Sequence, residues 1–454
     1  MVKGYDLAPG LPLVFVVLLI CIFRLDTIAF LAVLVTPLSL NLSETGLGIG
    51  ASLPSEPLMF GLFILFWLKV FAEGGLDRRI LKHPVTIMIL IHLAWFIFTT
   101  FTSTLFIVSL KSTLARITYV SVFYFMFLYI FSKYENIAKF LWMYMIPLLI
   151  VIIYTLYNQF AAGLTEDAAH TAMTPFYNDH TAYGAAISFF IPVLFAMITD
   201  SKKMTRSRLL QFVVLIILLT AIVMSYTRAS WVGLIGAFGC FLVLLFRLKS
   251  FFVYVGLAML VIGSFVFSTD ITMYLGRNTK VSSTDYASHV QSIGNISTDD
   301  SNIERLNRWA SALRMFKTKP LIGFGPGTYM FRYAPYQKDS EKSRISTNYG
   351  TGGGSHSEYL GPLSEQGILG PILFILIGAI AIQRASRFIK TCDDKSVRIL
   401  AKGLLLGLIT YWFQGTLNYF LDTEKISVPF WGFLSALVAL EIYHSKHHVK
   451  DLSK

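Results

Sequence analysis

Residues 209–231 read LLQFVVLIILLTAIVMSYTRASW. The first fifteen are apolar except for Gln211 and Thr220 and show no polar-apolar alternation. A lipid-facing β-strand would alternate, so this run predicts a helix. It is also long enough to cross a hydrocarbon core of roughly 30 Å. The run then breaks at Tyr226-Thr227-Arg228-Ala229-Ser230-Trp231 and a second apolar run begins at once. Two helices joined by almost no loop therefore hold one arginine at the lip of a bundle.

The rest of the chain extends the pattern. It has 454 residues, 55% hydrophobic and 14% charged, where a soluble domain of this size carries about a quarter charged residues. Apolar runs predict spans at 10–42, 57–73, 84–104, 112–132, 137–161, 180–199, 208–226, 229–247, 250–268, 359–385, 398–420 and 427–444. The expectation is an all-α integral membrane protein of about twelve spans, or thirteen if 10–42, with Arg24 and Asp26 at its middle, is two helices. One large hydrophilic loop, 269–358, separates the ninth span from the tenth. Three domains follow: a bundle over 1–268, a loop or lid over 269–358, and a three-span segment with its tail over 359–454. No small-residue cleavage site follows Leu11–Phe23, so no signal peptide is read. Cys21, Cys240 and Cys392 lie far apart and suggest neither a disulfide framework nor a zinc site.

The net charge of +12 reflects topology rather than a nucleic-acid footprint. Loops 74–83, 200–207 and 386–397 and the tail each carry three Lys or Arg, whereas 43–56 and 162–179 carry none. Positive residues stay in the cytoplasm. The C-terminus is therefore expected inside, and 227–228, 269–358 and 421–426 outside. Within the loop, Ser282 to Ser301 is polar, while Ile303, Leu306, Trp309, Ala310, Leu313 and Phe316 recur at helical spacing over 302–316.

Polar residues concentrate near the outer ends of spans: Asn158, Gln159, Asp179, His180, Gln414 and Asn418, together with Arg116 one turn into its span. An outward-opening polar cavity accounts for them jointly; separate helix–helix hydrogen bonds and a snorkelling Arg116 account for them singly. His92 reads as a packed or hydrogen-bonded histidine. Arg228 offers a planar fork suited to phosphate oxygens. Arg305 and Arg308 follow on the loop helix, then a glycine-rich turn, Gly323-Phe324-Gly325-Pro326-Gly327, that lets the backbone pass close to a neighbour. It is not a dinucleotide fingerprint, since no strand precedes it. Gly352-Gly353-Gly354 then delivers His356, whose side-chain type suits proton transfer near neutrality, to the start of a span.

In this order the motifs resemble those of the O-antigen ligase and Wzy-type polysaccharide polymerase superfamily. The shared parts are Thr227-Arg228-Ala229-Ser230, Arg305 to Trp309 before the proline and glycine-rich turn, and His356 with the downstream Glu365 and Gly367; they are firmest from Asn178 to Gly370. The resemblance implies a glycosyltransferase in the bacterial inner membrane, acting on its periplasmic face. The donor would be a glycan on undecaprenyl diphosphate, and the acceptor lipid A-core or another glycan. It implies that Arg228 and either Arg305 or Arg308 bind the diphosphate and that His356 activates the acceptor. Arg116, His180 and Glu365 complete the expected substrate-binding set. Ser357 stands where the family often has asparagine. No Asp-x-Asp pair is present and Asp422-Thr423-Glu424 is remote in sequence, so no metal and no cofactor are expected. A polymerase is the nearer alternative and a lipid-linked glycan flippase the farther one; the latter predicts repeats and charges at mid-membrane.

Overall fold

The computed structural model describes residues 24–41, 52–200, 205–245, 300–343, 346 and 353–445. The expected span 250–268, the first part of 10–42 and the polar stretch before Asp300 lie outside the described residues. The described residues are 77% helix and 1% strand, consistent with an all-α membrane protein.

Chain order gives α1 (Leu25–Val35, extended by a 3₁₀ turn, Thr36–Leu38), β1 (Leu40–Asn41), β2 (Ser52–Leu53), α2 (Ser55–Ala72), α3 (Arg78–Leu81) and α4 (Pro84–Phe101). Then come α5 (Phe106–Ile130), α6 (Glu135–Ala161), α7 (Glu166–Thr171), α8 (His180–Asp200), α9 (Arg206–Met224) and α10 (Arg228–Leu245). After the second break follow α11 (Asp300–Thr318), α12 (Tyr329–Arg332), α13 (Leu360–Gln366), α14 (Leu369–Thr391), α15 (Lys395–Gln414) and α16 (Glu424–Tyr443). Among the described residues nine helices are long and apolar enough to cross a membrane: α2, α4, α5, α6, α8, α9, α14, α15 and α16. The Leu25–Leu38 and Arg228–Val243 stretches are shorter apolar helices.

Several boundaries differ from the sequence reading, each for a local reason. Arg24 is the N-cap of α1 and Asp26 lies in its first turn, so both charges sit at a helix end rather than at mid-span. The fourth expected span starts earlier, at Phe106, and is interrupted by a π-helical turn, Val120–Met126, whose residues are all buried. The expected span 359–385 is two helices. Gly367 adopts φ +69 and ends α13, and the membrane-length helix starts at Leu369. At the other end α14 continues to Thr391, and Asp394 caps α15 by accepting from the N–H groups of Ser396 and Val397.

Helices α15 and α16 are the most enclosed, and α2 and α9 the most exposed. Small residues allow this: a Cβ on Gly407 of α15 would stand 2.6 Å from the Phe189 carbonyl of α8, and one on Gly233 of α10 would stand 2.5 Å from the Thr410 carbonyl of α15. Close backbone approach of this kind is how helices associate when apolar burial gives no preference over lipid.

Residues 300–343 and 353–366 form a helical layer on one end of the bundle. It has its own apolar core of Trp309, Ala312, Met315, Phe324, Tyr329, Tyr333, Leu360 and Leu363. It is fastened to the turn between α4 and α5, where Thr104 N donates to the Phe324 carbonyl at 2.9 Å and Ser109 Oγ to the Pro326 carbonyl at 2.8 Å.

Candidate functional site

The turn before α10 is built for rigidity. Tyr226 takes a left-handed φ of +51, which turns the chain within two residues. Thr227, fully buried, donates from Oγ1 to the His180 carbonyl at 3.0 Å and to the Ser225 carbonyl at 3.2 Å. Ser230 Oγ accepts from Gln414 Nε2 at 2.6 Å, and Gln414 Oε1 accepts from Ser188 Oγ at 3.3 Å. Between these anchors Arg228, half-buried, opens α10. The helix N-terminus and the guanidinium thus present positive potential in the same place.

The second wall is α11. Glu304 and Arg308, four residues apart, form an ion pair of 2.7 Å with both side chains buried. Arg308 Nη1 also donates to the Gly354 carbonyl at 3.1 Å, and its guanidinium lies 5.4 Å from the Tyr333 ring centre. Gly353 passes alongside at φ +121; a Cβ there would collide with Arg308 Nη1. Trp309 Nε1 donates to the His356 carbonyl at 3.4 Å. His356 itself is held at φ +52, a strained conformation for a residue with a Cβ.

His356 is half-buried, and its pKa is pushed down to about 3. Burial is the largest cause, followed by the charges of Arg305 and then Arg308; Asp179 and Glu304 oppose them. The imidazole is therefore neutral at physiological pH. Glu304 is kept ionised: burial raises its pKa, but hydrogen bonds from Ser346, Arg308 and Asn307 and the Arg308 charge together bring it below the usual range.

Two links bring the Arg228 turn and His356 to the same end of the bundle. Asp179 acts on His356, while the next residue, His180, supplies the carbonyl that holds Thr227. Gln414 holds Ser230, while the next residue, Gly415, accepts from Glu358 N at 2.7 Å. The other expected site residues take different places. His180 Nδ1 stands 3.2 Å from Asp179 Oδ1, and its ring stacks on His170 at 4.3 Å. Arg116 is buried, with its guanidinium 5.5 Å from the Phe96 ring centre, and its charge acts on Glu358 and Asp422. Glu365 is buried and turned to the protein: Oε1 accepts from Tyr329 N at 2.9 Å and Oε2 from Tyr419 Oη at 3.2 Å.

The glycine-rich turn passes close to α13. Phe324 N donates to the Ser364 carbonyl at 3.1 Å and Gly325 N to the Glu365 carbonyl at 2.7 Å. The turn and the helix break at Gly367 are therefore one clamp, placed beside the histidine strand.

Sequence reasoning passed over Asp179 as a partner of His356, because the two are distant in the chain. The i,i+4 spacing of Glu304 and Arg308 would have marked their pair. Glu358 gave no usable signal. Its Oε1 accepts from Phe420 N and Leu421 N, each at 2.8 Å, and from Tyr411 Oη, so it ties the histidine strand to the α15–α16 turn. The polar residues near the span ends mostly bond the protein to itself. Asn158 Nδ2 donates to the Ala172 carbonyl at 3.0 Å and Gln159 Nε2 to the Met224 carbonyl at 2.8 Å. His92 packs edge-on against Phe96, 6.0 Å between ring centres.

Buried and half-buried arginines and a neutral histidine thus lie at one end of a helical bundle. Residues 212–375 match the family model described as O-Antigen ligase, the family its motifs resemble. An uncharacterized protein of Haemophilus influenzae is 27% identical over 181 residues, 39% of this chain and 43% of that protein. The chain thus matches well under two thirds of that relative's length. The match falls in a chain whose described residues include nine helices long and apolar enough to cross a membrane.

Proposed function

We propose that this protein transfers a glycan from a polyprenyl diphosphate, in bacteria undecaprenyl diphosphate, to an acceptor hydroxyl on the periplasmic face. The observation that carries the reading is the gathering of the Arg228 turn, the arginine helix α11 and His356 at one end of the bundle, within the segment that matches the family. The basic loops at the opposite end support a site outside the cytoplasm.

The donor already carries its leaving group. As the sugar–oxygen bond breaks, negative charge grows on the diphosphate, and fixed guanidinium groups in a site sheltered from water stabilise it. Arg228 and Arg305 are the donor-binding arginines in this reading. Arg308 is already engaged by Glu304 and the Gly354 carbonyl, and Arg305 acts more strongly on His356. The acceptor hydroxyl attacks the anomeric carbon from the opposite face and passes its proton to His356, which inverts the configuration. Asp179 and Glu304 favour the imidazolium so formed. In this reading His180 holds the Arg228 turn through its carbonyl, Glu365 keeps the glycine-rich turn in place, and Arg116 acts through Glu358 and Asp422. No metal takes part in this scheme.

Arg228→Lys keeps the charge and loses the fork. Its transfer rate should fall roughly a hundredfold or more, with the protein still inserted; transfer at the wild-type rate would remove Arg228 from donor binding. A ligase, with lipid A-core as acceptor, is favoured here over a polymerase. Unligated lipid-linked polymer in a deletion strain fits the ligase; single repeats fit the polymerase.

A further inference from the structure

At the end of the bundle opposite His356, the last turns of α2 and α5 and the first turns of α1 and α6 enclose a cavity of about 280 Å³. Its lining combines apolar residues, among them Phe66 and Met126, with charges of both signs: Lys69 and Lys133, Asp26 and Glu73. Lys69 Nζ stands 3.8 Å from Glu73 Oε1, and all four charged side chains reach the surface. Because these are the ends of membrane-length helices, the cavity lies at the depth of lipid headgroups.

We propose that this cavity holds the head of a glycerophospholipid bearing phosphoethanolamine. The phosphate sits against Lys69 and Lys133, the ammonium against Asp26 and Glu73, and the start of an acyl chain against Phe66 and Met126. Two features select this ligand. An anionic lipid without an ammonium group would leave Asp26 and Glu73 facing negative charge. The apolar Phe66 and Met126 beside the charges suit the start of an acyl chain and not a glycan. The assignment is independent of the transfer reaction.

Native mass spectrometry of the full chain, released from membranes containing both phosphoethanolamine and phosphoglycerol lipids, tests it. One phosphoethanolamine lipid should be retained per chain in preference to phosphoglycerol lipid. Joint Lys69→Gln and Lys133→Gln substitution should weaken that lipid about tenfold or more. Joint Asp26→Asn and Glu73→Gln substitution should instead abolish the preference, letting phosphoglycerol lipid compete. Equal retention of both lipids by the wild type, or an unchanged adduct in the double lysine variant, would overturn the assignment. Displacement of the adduct by inorganic phosphate would assign a soluble anion instead, and would overturn it too.

Discussion

At the residue scale the charge around His356 decides its chemistry. Burial first, and then the charges of Arg305 and Arg308, which repel the proton it must receive, hold its pKa down to about 3 in the free protein. A bound diphosphate offsets those charges and raises the pKa, making the imidazole a better base once the donor is in place. The sign follows: the base works only above its pKa. The acidic limb due to His356 should therefore lie at higher pH in kcat, which reports the bound state, than in kcat/KM, which reports the free protein. Coincident limbs would contradict the coupling. Removing the stronger repulsion by Arg305→Ala should raise the His356 pKa in the free protein, as read by NMR titration of the ring; a fall would contradict it. The sequence displayed His356, Arg228 and the arginine pair, because each stands in a short motif. It displayed Asp179 only as one of several polar span-end residues; its action on His356, and the role of Glu358, come from chain folding and not from spacing.

At the element scale the site depends on loops held by helices. The strand that brings His356 in runs alongside Arg308, and Gly353 leaves the room for it. Gly353→Ala should strain the backbone at φ +121 and push the guanidinium away from the Gly354 carbonyl. Transfer should fall at least tenfold while thermal unfolding shifts by no more than a few degrees, as about 1 kcal/mol allows; unimpaired transfer would show that this contact does not position the site. Apolar length made the helices legible, and helical spacing announced α11. Boundaries were less so. Gly367 breaks a run that hydropathy reads as continuous, because a single left-handed residue barely changes mean hydropathy. Arg24 and Asp26 looked like mid-span charges because apolar residues flank a helix start on both sides.

At the scale of the whole molecule, the account requires that the layer over residues 300–343 and 353–366 lie on the side of the membrane opposite the loop between α14 and α15. Single cysteines at Asp339 and Lys390, both exposed positions, should react with an impermeant reagent from the periplasm and from the cytoplasm respectively. Labelling of both from one side would overturn the topology. The charge count assigns the two faces from the sequence on the expectation that short basic loops are retained in the cytoplasm. The way the layer docks on the bundle was hidden, because it rests on hydrogen bonds from Thr104 and Ser109 to the carbonyls of Phe324 and Pro326, more than two hundred residues away in the chain.

The most direct test of the central claim is transfer by the purified protein in liposomes, supplied with a polyprenyl-diphosphate-linked glycan and a hydroxyl acceptor. The wild type should release polyprenyl diphosphate in step with glycosylated acceptor, with or without a chelator. His356→Ala should bind the donor yet lose roughly a hundredfold or more in rate. Transfer by His356→Ala at the wild-type rate would contradict the account.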